Sequence, residues 1–370
     1  MKVRIGRLVF TRRPINRLNS MNKVIFEDMG LLYADLGSLN NKLRNKSVLV
    51  TGGYGMVASY ILWYLIYLNE YHFFNLKIYV LCRHKHKLIQ KFGLDVCDAN
   101  FEVILQDVCV DLMGRPRFDF IIHSASIASS EHFSTKPVDV INANVLGTFN
   151  ILNKALLDES EGVLYISSMA VHGLVEGRVT VTEKDMGYMD PLDLRSCYGE
   201  SKRLAETACI SYFHQYGVKA NIARLCHTYG PTMDLSDKRV FASFVADCIA
   251  GRDIKVLSDG SASRVFIYLR NAIDACLRIL LSEPSGEAYN VTNHNNTVSI
   301  KDLAEMLAKI SGSKSKVFFE PRKEGDTYLE ANSPDIHPIF SGDKLKRDLG
   351  WICNVSVYDG FKRTIRSFEE

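Results

Sequence analysis

The stretch that decides the fold is residues 46–59, Lys-Ser-Val-Leu-Val-Thr-Gly-Gly-Tyr-Gly-Met-Val-Ala-Ser. Its first part, Lys46–Thr51, is apolar and β-branched, which predicts a buried strand. An amphipathic run over Met56–Leu68 predicts a helix. Three glycines lie between the two: Gly52, Gly53 and Gly55. They suit either a plain turn or a close approach to a dinucleotide pyrophosphate at the helix amino terminus, and the rest of the chain has to decide between these.

Further apolar runs predict a sheet built on this unit. Four of them have the length of strands: Leu76–Cys82, Phe101–Leu105, Phe118–Ile122 and Gly162–Ser167. Helical patterns separate them, for example over Asn142–Leu152. Alternating strands and helices indicate an α/β fold with a Rossmann-type doubly wound parallel sheet. In such sheets ligands bind at the carboxyl ends of the strands.

The end of the second strand bears on the choice of cofactor. A carboxylate is usual there when the ligand is NAD, because it hydrogen-bonds the adenosine ribose. This chain has Cys82 instead, followed by the basic run Arg83 to Lys87. Arg83 is suited to pairing with a ribose 2′-phosphate, although basic residues after a strand are often simply solvated. The cofactor is therefore predicted to be NAD or NADP, with NADP slightly favoured.

A second motif lies in Leu194–Thr207, where Tyr198 and Lys202 are four residues apart. In a helix this spacing places both side chains on one face. A cation beside a phenol favours the phenolate, so the pair is either a proton-transfer device or a plain surface pair. Ser168, just after the fifth strand, is placed to face Tyr198 and to donate a hydrogen bond to a substrate oxygen.

Composition limits the classes of function. The chain has 370 residues, 47% of them hydrophobic, a net charge of +3 and nine cysteines. These values predict a globular protein with reduced thiols in the cytoplasm, no nucleic-acid partner, no membrane partner and no metal site. Residues 1–20 carry six Lys or Arg and no acid, and they lack the apolar core of a secretory signal. We expect them to be an extension, and residues 21–45 to be a helical lead-in packing on the domain or on a partner subunit.

The last third predicts a smaller mixed domain. Helices are predicted over Phe241–Ala250, Asn271–Leu281 and Ile300–Ile310, and strands over Ile254–Leu257 and Ala288–Val291. Polar links are predicted over Ser311–Lys316 and Pro321–Pro334. The predicted division is an amino-terminal extension over 1–45, a dinucleotide-binding domain over 46–227 and a substrate-binding domain over 228–370, with interleaved pieces.

Taken in order, these motifs resemble the extended short-chain dehydrogenase/reductase family, in its NAD-dependent epimerase/dehydratase branch. The resemblance covers roughly residues 46 to 365. It also includes Asn144 with Gly147, the Arg224–Pro231 stretch, Asp259–Arg264, Phe266–Tyr268 and Leu349–Trp351. The sequences of these motifs most resemble those of UDP-glucuronate decarboxylases and dTDP-glucose 4,6-dehydratases. The resemblance implies a nucleotide-sugar substrate and a homodimer built from the Asn144 and Tyr198 helices.

The resemblance also implies roles for individual residues. The expected catalytic residues are Ser168, Tyr198, Lys202 and Asn144, with Tyr198 as base or acid, Lys202 depressing its pKa and Asn144 supporting the lysine through water. The expected cofactor-binding residues are Gly52, Gly53, Tyr54, Gly55, Met56, Val57, Arg83, Asp107, Val108, Ser124, Ala125, Ser126, Asn144, Tyr198 and Lys202. The expected substrate-binding residues are Ser168, Met169, His227, Arg239 and Arg264, with Arg264 gripping the diphosphate.

The chain departs from the family pattern at several of these positions. Decarboxylases and dehydratases carry one or two acids after the serine position, where this chain has Met169 and Ala170. Without that acid, dehydration loses its proton donor. His227 stands in place of an asparagine, and Arg270 with Asn271 in place of paired acids.

These departures set the order of the expected reactions. The expectation is hydride transfer at a sugar ring carbon, probably C4, by a 4-epimerase or a 4-keto-reductase. One alternative is a 4,6-dehydratase or decarboxylase that takes an acid from elsewhere, for instance Glu131 or Glu183. The other is a cofactor-binding regulatory protein without catalysis.

Overall fold

The structure is a computed structural model that describes residues 21–93, 100–175, 180–312, 315–320 and 339–370. The predicted extension over 1–20 and the predicted link Pro321–Pro334 lie outside these residues. The eight cysteines in the described part are all unpaired. None of the helices in these ranges is long and apolar enough to cross a bilayer.

The described chain alternates between strands and helices. The strands are β1 (Ser47–Thr51), β2 (Lys77–Cys82), β3 (Phe101–Leu105), β4 (Phe120–His123), β5 (Gly162–Ser168), β6 (Thr180–Val181), β7 (Ala220–Leu225), β8 (His227–Tyr229), β9 (Ile254–Val256), β10 (Ser263–Tyr268), β11 (Ala288–Val291), β12 (Thr297–Ser299), β13 (Val317–Phe319) and β14 (Ile339–Phe340). The helices are α1 (Lys23–Leu36), α2 (Met56–His72), α3 (Lys85–Phe92), α4 (Ser130–Thr135), α5 (Pro137–Asn144), α6 (Leu146–Asp158), α7 (Ser196–Tyr216), α8 (Val240–Ile249), α9 (Leu269–Leu281), α10 (Ile300–Ile310), α11 (Asp343–Leu349) and α12 (Val357–Glu369).

Seven parallel strands form the large sheet, in the order β11-β7-β5-β4-β1-β2-β3. The strand order reverses between β1 and β4, because the chain first builds outward through β2 and β3 and then returns to the other side of β1. This reversal opens a crevice at the carboxyl ends of the central strands, which is where doubly wound sheets bind ligands. The predicted Rossmann-type sheet is confirmed.

Helices cover both faces of this sheet and bury two hydrophobic clusters. One cluster joins the sheet to α1, α2 and α9, and the other joins it to α6 and α7. Helix α2 is more buried than the amphipathic pattern predicted, since every residue from Ala58 to Leu68 is buried. The cause is α1, which packs against α2 and α9 on the side facing away from the sheet.

Helix α1 is the predicted lead-in, and a buried carboxylate fastens it to the domain. Asp28 accepts hydrogen bonds from the hydroxyls of Tyr60 and Tyr268, each at 2.5 Å. The Arg363 guanidinium lies 2.7 Å from its other oxygen. These partners come from α2, the end of β10 and α12, so α1 joins three distant parts of its own chain.

The remaining strands form smaller sheets, and two of these sheets contribute to a third cluster. The strands pair as β12-β10-β8, β13-β9 and β14-β6. The cluster packs α8, α10 and α12 against β8 to β10. Strand β11 returns to the large sheet beside β7, so residues after 227 contribute to it. The domain boundary at 227 stays a prediction.

Several predicted elements differ from the structure by a few residues in their bounds. The fourth strand covers Phe120–His123 and therefore begins two residues later than predicted. The helix predicted over Asn142–Leu152 is instead the end of α5 and the beginning of α6, interrupted at Val145. The interruption brings Gly147 close to the chain after β3, where a Cβ on Gly147 would lie 2.8 Å from the Val108 side chain.

Candidate active site

The glycine turn after β1 lies against the ends of two neighbouring strands. Gly52 has φ +73°, and a Cβ there would come within 2.9 Å of the Ala125 backbone. A Cβ on Gly53 would come within 2.1 Å of the Val80 side chain. The turn therefore needs glycine for close approach as well as for its backbone angles. It leaves the amino terminus of α2 facing the crevice, an arrangement that fits the pyrophosphate of a dinucleotide.

Strand β4 is tied to β1 beside this turn. The Thr51 hydroxyl accepts hydrogen bonds from the backbone N–H groups of Ser124 and Ala125, at 3.1 and 3.0 Å. It also lies 2.9 Å from Nδ1 of the buried His123. These bonds hold Ser124, Ala125 and Ser126 at the edge of the crevice, as the sequence predicted.

A cavity of about 360 Å³, called the adenosine cavity below, lies on the side of the turn where the sequence predicts the adenosine half of the cofactor. Nine of the predicted cofactor residues line it: Gly52, Tyr54, Gly55, Arg83, Asp107, Val108, Ser124, Ala125 and Ser126. At its mouth the half-exposed Arg83 lies 3.6 Å from the Asp107 carboxylate. Burial raises the pKa of Asp107, but the Cys109 backbone N–H and Arg83 outweigh it and hold this pKa below its ordinary value. Asp107 is therefore an anion next to the predicted 2′-phosphate site.

A larger cleft of about 770 Å³ lies on the other side of the turn, between the large sheet and the loop after β8. The predicted residues that line it are Tyr54, Gly55, Met56, Val57, Ser124, Ser126, Ser168, Tyr198, Lys202 and Arg239. The cleft thus brings the expected proton-transfer residues and the glycine turn into one cavity.

Helix α7 and the end of β5 place Tyr198, Lys202 and Ser168 together. The Lys202 ammonium donates a 2.8 Å hydrogen bond to the Ile166 carbonyl on β5. It lies 4.6 Å from the ring centroid of Tyr165 and 5.9 Å from that of Tyr198. Ser168 ends β5, and its hydroxyl accepts a hydrogen bond from the Ala170 N–H at 3.2 Å. The predicted grouping of these three side chains is therefore present.

The pKa of Tyr198 differs from the prediction. Burial raises it above its ordinary value, although hydrogen bonding from Ser168 and the positive charge of Arg239 act in the other direction. The prediction that Lys202 brings this pKa below its ordinary value is therefore wrong for the protein without a bound ligand. Burial also lowers the pKa of Lys202 itself, to about 7, which reduces the charge that the lysine brings to the phenol near neutral pH.

Glu206, one turn after Lys202, keeps the Lys202 pKa from falling further. It accepts a 2.5 Å hydrogen bond from Ser167 and binds Arg224 through both oxygens. Sequence reasoning did not single out Glu206. The signal was available, since Glu206 follows Lys202 at the four-residue spacing that links Tyr198 to Lys202.

Asn144 ties the crevice to helix α7. Its side-chain oxygen accepts a 2.7 Å hydrogen bond from Ser126, and its amide donates one of 2.9 Å to Ser201. Ser201 in turn donates to the Tyr198 carbonyl at 3.0 Å. Asn144 therefore holds the helix that carries Tyr198. Its predicted support of Lys202 through water stays a prediction.

Three of the predicted substrate residues, His227, Arg239 and Arg264, lie close together at the β12-β10-β8 sheet. Burial and the positive charges of Arg264 and Arg239 lower the pKa of His227 to about 4, which makes it a neutral imidazole at physiological pH. Arg239 forms an ion pair of 2.6 Å with Asp237, and its guanidinium lies 4.8 Å above the Phe241 ring. Met169 is different, because it packs against the hydrophobic cluster around α2.

The acids proposed to replace the missing one are engaged elsewhere. Glu131 pairs with Lys238 at 2.9 Å on the surface, and this contact lowers its pKa. Glu183 accepts the Asn290 backbone N–H at 2.9 Å, and its own carbonyl binds Arg224. Ala170 is exposed at the start of a 3₁₀ turn over Met169–His172. Among the described residues, the carboxylates that line the cleft are those of Asp234 and Asp237.

Two further groups at the cleft were not predicted from the sequence. Phe133 on α4 stacks on Tyr198, with ring centroids 4.8 Å apart and an angle of 17° between the planes. Lys87 and Lys91 on α3 line the cleft beside Tyr54. Phe133 and Lys91 lie in stretches that the sequence did not single out, whereas Lys87 ends the basic run after the second strand. Nothing local in the sequence links these residues to the glycine turn or to Tyr198.

The glycine turn, the adenosine cavity and the Tyr198–Lys202 pair define a dinucleotide-dependent enzyme of the short-chain dehydrogenase/reductase class. Residues 48–292 match the profile of the NAD dependent epimerase/dehydratase family. The chain belongs to this family, as the sequence predicted.

A relative agrees with this assignment, and solved structures share the fold. UDP-glucuronic acid decarboxylase 1 of Danio rerio is 30% identical over 336 residues, which cover 91% of this chain and 75% of the relative. The fold matches that of UDP-glucose 4-epimerase from Thermotoga maritima, with a TM-score of 0.73, 21% identity and coverage of 87% of this chain and 98% of the other. It also matches the Bordetella bronchiseptica enzyme WbmF in complex with NAD⁺ and UDP, with a TM-score of 0.68, 21% identity and coverage of 89% and 93%.

Proposed function

We propose that the protein is an NAD-dependent nucleotide-sugar enzyme that oxidises a ring carbon, C4, and reduces it again, acting as a 4-epimerase. The observation that carries this proposal is the arrangement around β5. Ser168, Tyr198 and Lys202 converge on the cleft, while Ala170, two residues after Ser168, supplies no acid next to it. Such a site can move a hydride and a proton at one carbon, but it lacks the donor for expelling a hydroxyl from a neighbouring one.

The residues of this chain divide the proton transfer between them. Tyr198, as the phenolate, takes the proton of the sugar hydroxyl as the carbon becomes a carbonyl, and it returns this proton on reduction. Ser168 donates a hydrogen bond to the same oxygen and stabilises the developing charge. Lys202, which lines the same cleft, would hold the nicotinamide ribose. Bound NAD supplies the hydride acceptor and, in the return step, the hydride donor.

The diphosphate of the substrate is proposed to bind at the β12-β10-β8 sheet. Arg239 and Arg264 supply guanidinium groups suited to phosphate oxygens. Burial and the proximity of these arginines lower the pKa of His227 and keep it neutral, so its ring is available as a hydrogen-bond donor without added charge. This assignment is supported by the position of Arg239 on the cleft wall next to Asp237.

NAD is the proposed cofactor, in preference to the NADP that the sequence slightly favoured. Arg83 shares its charge with Asp107, and the lowered pKa of Asp107 keeps that carboxylate negative. A 2′-phosphate would meet this negative charge beside the arginine. Arg83→Ala tests the proposal: NAD affinity should change little, whereas a selective loss of NADP binding of tenfold or more would favour NADP.

Decarboxylation of a UDP-uronic acid is the second candidate, favoured by the relatives at about 30% identity. Oxidation at C4 places a ketone β to the carboxylate on C5. The bond between C5 and the carboxylate carbon then breaks, carbon dioxide leaves, and the bonding electrons form an enolate with the C4 ketone. C5 takes up a proton in the next step. This route needs no acid to expel a leaving group, so it tolerates Ala170 better than dehydration does.

A product assay distinguishes these candidates. Purified protein with NAD is incubated with UDP-glucose, UDP-N-acetylglucosamine, UDP-glucuronate and dTDP-glucose, and the products are identified by NMR and by release of carbon dioxide. Epimerisation predicts a C4 epimer of equal mass. Carbon dioxide from UDP-glucuronate would favour the second candidate, and no turnover with intact NAD binding would favour a regulatory protein.

A homodimer is proposed as the assembly. Helices α5, α6 and α7 pack side by side and expose apolar side chains, namely Val138, Ile141, Leu146, Leu157 and Leu204. Apolar surface of this kind is favoured at subunit interfaces. Light scattering after size exclusion should give twice the chain mass, and Leu146→Glu with Leu204→Glu should shift it to the monomer.

A further inference from the structure

A lysine from helix α3 reaches into the cleft and contacts the glycine turn. The partly buried Lys91 donates a 2.8 Å hydrogen bond to the Thr232 carbonyl in the loop after β8. A longer contact of 3.5 Å joins its ammonium to the Tyr54 carbonyl, inside the turn itself. The lysine thus bridges the turn and the far wall of the cleft.

Two more contacts place the neighbourhood of Lys91 at the start of α2. The Thr232 hydroxyl donates a 2.9 Å hydrogen bond to the Met56 carbonyl, in the first turn of that helix. Lys87, one turn before Lys91, holds its ammonium 5.3 Å from the ring centroid of Tyr54. Both lysines and the amino terminus of α2 therefore lie along one stretch of the cleft wall.

The charges here favour an anion. Burial lowers the pKa of Lys91, and the negative charge of Asp234 acts in the other direction. The Asp234 carboxylate also interacts with Lys87. Two ammonium groups and a helix amino terminus thus face one carboxylate. The two carbonyl oxygens occupy two of the three donors of Lys91, which leaves one N–H group for a ligand.

We propose that Lys91, assisted by Lys87, binds a diphosphate in the cleft, and that this diphosphate is the pyrophosphate of the dinucleotide. The contacts with Tyr54 and Met56 favour the cofactor over the substrate as its source, because these residues form the turn that faces the pyrophosphate. The inference concerns cofactor affinity in the absence of sugar, so it stands or falls independently of the sugar chemistry.

The charge state of Lys91 gives the proposal a pH dependence. Burial lowers the pKa of Lys91 to about 8. The charged groups that face it are Lys87 from its own helix and Asp234 from the opposite loop. A bound anion favours the protonated lysine, so NAD affinity should fall as pH rises above about 8.

Calorimetric titration of the full chain with NAD, ADP-ribose, adenosine and UDP tests the assignment. Lys91→Met should weaken NAD and ADP-ribose binding on the order of tenfold, the size of one hydrogen bond between charged groups, and leave adenosine and UDP unchanged. Lys91→Arg should retain most of the affinity, and the pH dependence above 8 should disappear in Lys91→Met. Lys85→Met removes an exposed lysine from the same helix and is the matched control.

Several outcomes overturn the proposal. Equal losses for adenosine and ADP-ribose would make Lys91 a purely structural link between α3 and the Thr232 loop. A loss for UDP alone would assign it to the substrate diphosphate. Unchanged NAD affinity in Lys91→Met would remove any role in binding. Should Lys91→Met fail to fold, Lys91→Gln retains a donor for the Thr232 carbonyl without the charge, and the same titrations apply.

Discussion

The cofactor end and the sugar end of the cleft have diverged to different degrees. At the cofactor end, the glycine turn, the Thr51 bonds to β4 and the Ser168, Tyr198 and Lys202 group are all in place. At the sugar end, Ala170 replaces an acid and His227 stands beside two arginines. This difference is the basis of our proposal that hydride transfer is retained while the chemistry that follows it has been changed.

Removing the phenol hydroxyl is the strongest test of the retained end. Tyr198→Phe should lower kcat by about 10²- to 10⁴-fold, the contribution of a positioned acid or base, and leave NAD affinity nearly unchanged. Tyr188→Phe, an exposed tyrosine away from the cleft, is the control. Unchanged turnover in Tyr198→Phe would show that Tyr198 is not the acid or base, and that the cofactor end has not retained its proton-transfer role.

Restoring an acid tests the changed end. Ala170→Glu places a carboxyl group after Ser168, so products of chemistry beyond C4 should rise roughly tenfold or more relative to the wild type. Ala170→Gln has the same size without the acid and should not show this rise. The products are measured by mass spectrometry on dTDP-glucose and UDP-glucuronate. An equal response in both variants would attribute the change to shape and not to proton transfer.

The charge that links the two ends is that of Arg239. Its positive charge opposes the burial that raises the pKa of Tyr198, so Arg239→Met should raise this pKa further. The rising limb of the pH–rate profile, along which the phenolate forms, then moves to higher pH, and activity near neutrality falls about severalfold. A pH–rate profile of kcat measures the shift. Lys238→Met, which removes a neighbouring exposed cation, should leave the profile in place, and a profile unmoved in both variants would separate Arg239 from Tyr198.

The buried contacts of Asp28, which hold α1 to the domain away from the cleft, should affect stability more than catalysis. Asp28→Asn removes the charge that Arg363 pairs with in the interior, which should cost about 3 kcal/mol of unfolding free energy in a urea titration. NAD affinity of the folded variant should stay within about twofold. Lys46→Met, at an exposed ion pair with Glu161, should cost less than about 1 kcal/mol. A large loss of NAD affinity in Asp28→Asn would place α1 in the site.

Local patterns in the sequence were sufficient for much of this picture. The glycine turn and Tyr198 with Lys202 could be recognised because each function depends on residues a few positions apart. The properties that depend on distant contacts could not be. Lys91 and Thr232 are 141 residues apart, and Asp28 and Tyr268 are 240 apart. The pKa of Tyr198 was misjudged for the same reason, because the burial that raises it comes from contacts with distant parts of the chain.

Hydride transfer at C4 is tested most directly by a single-turnover experiment with deuterium at that carbon. The protein with bound NAD is mixed with UDP-sugars carrying either hydrogen or deuterium at C4, and the absorbance of NADH is followed in a stopped-flow instrument. The account predicts a transient NADH signal that forms more slowly with deuterium and is absent in Tyr198→Phe. NADH formation that is insensitive to deuterium at C4, or no NADH from any of these sugars while NAD remains bound, would contradict it.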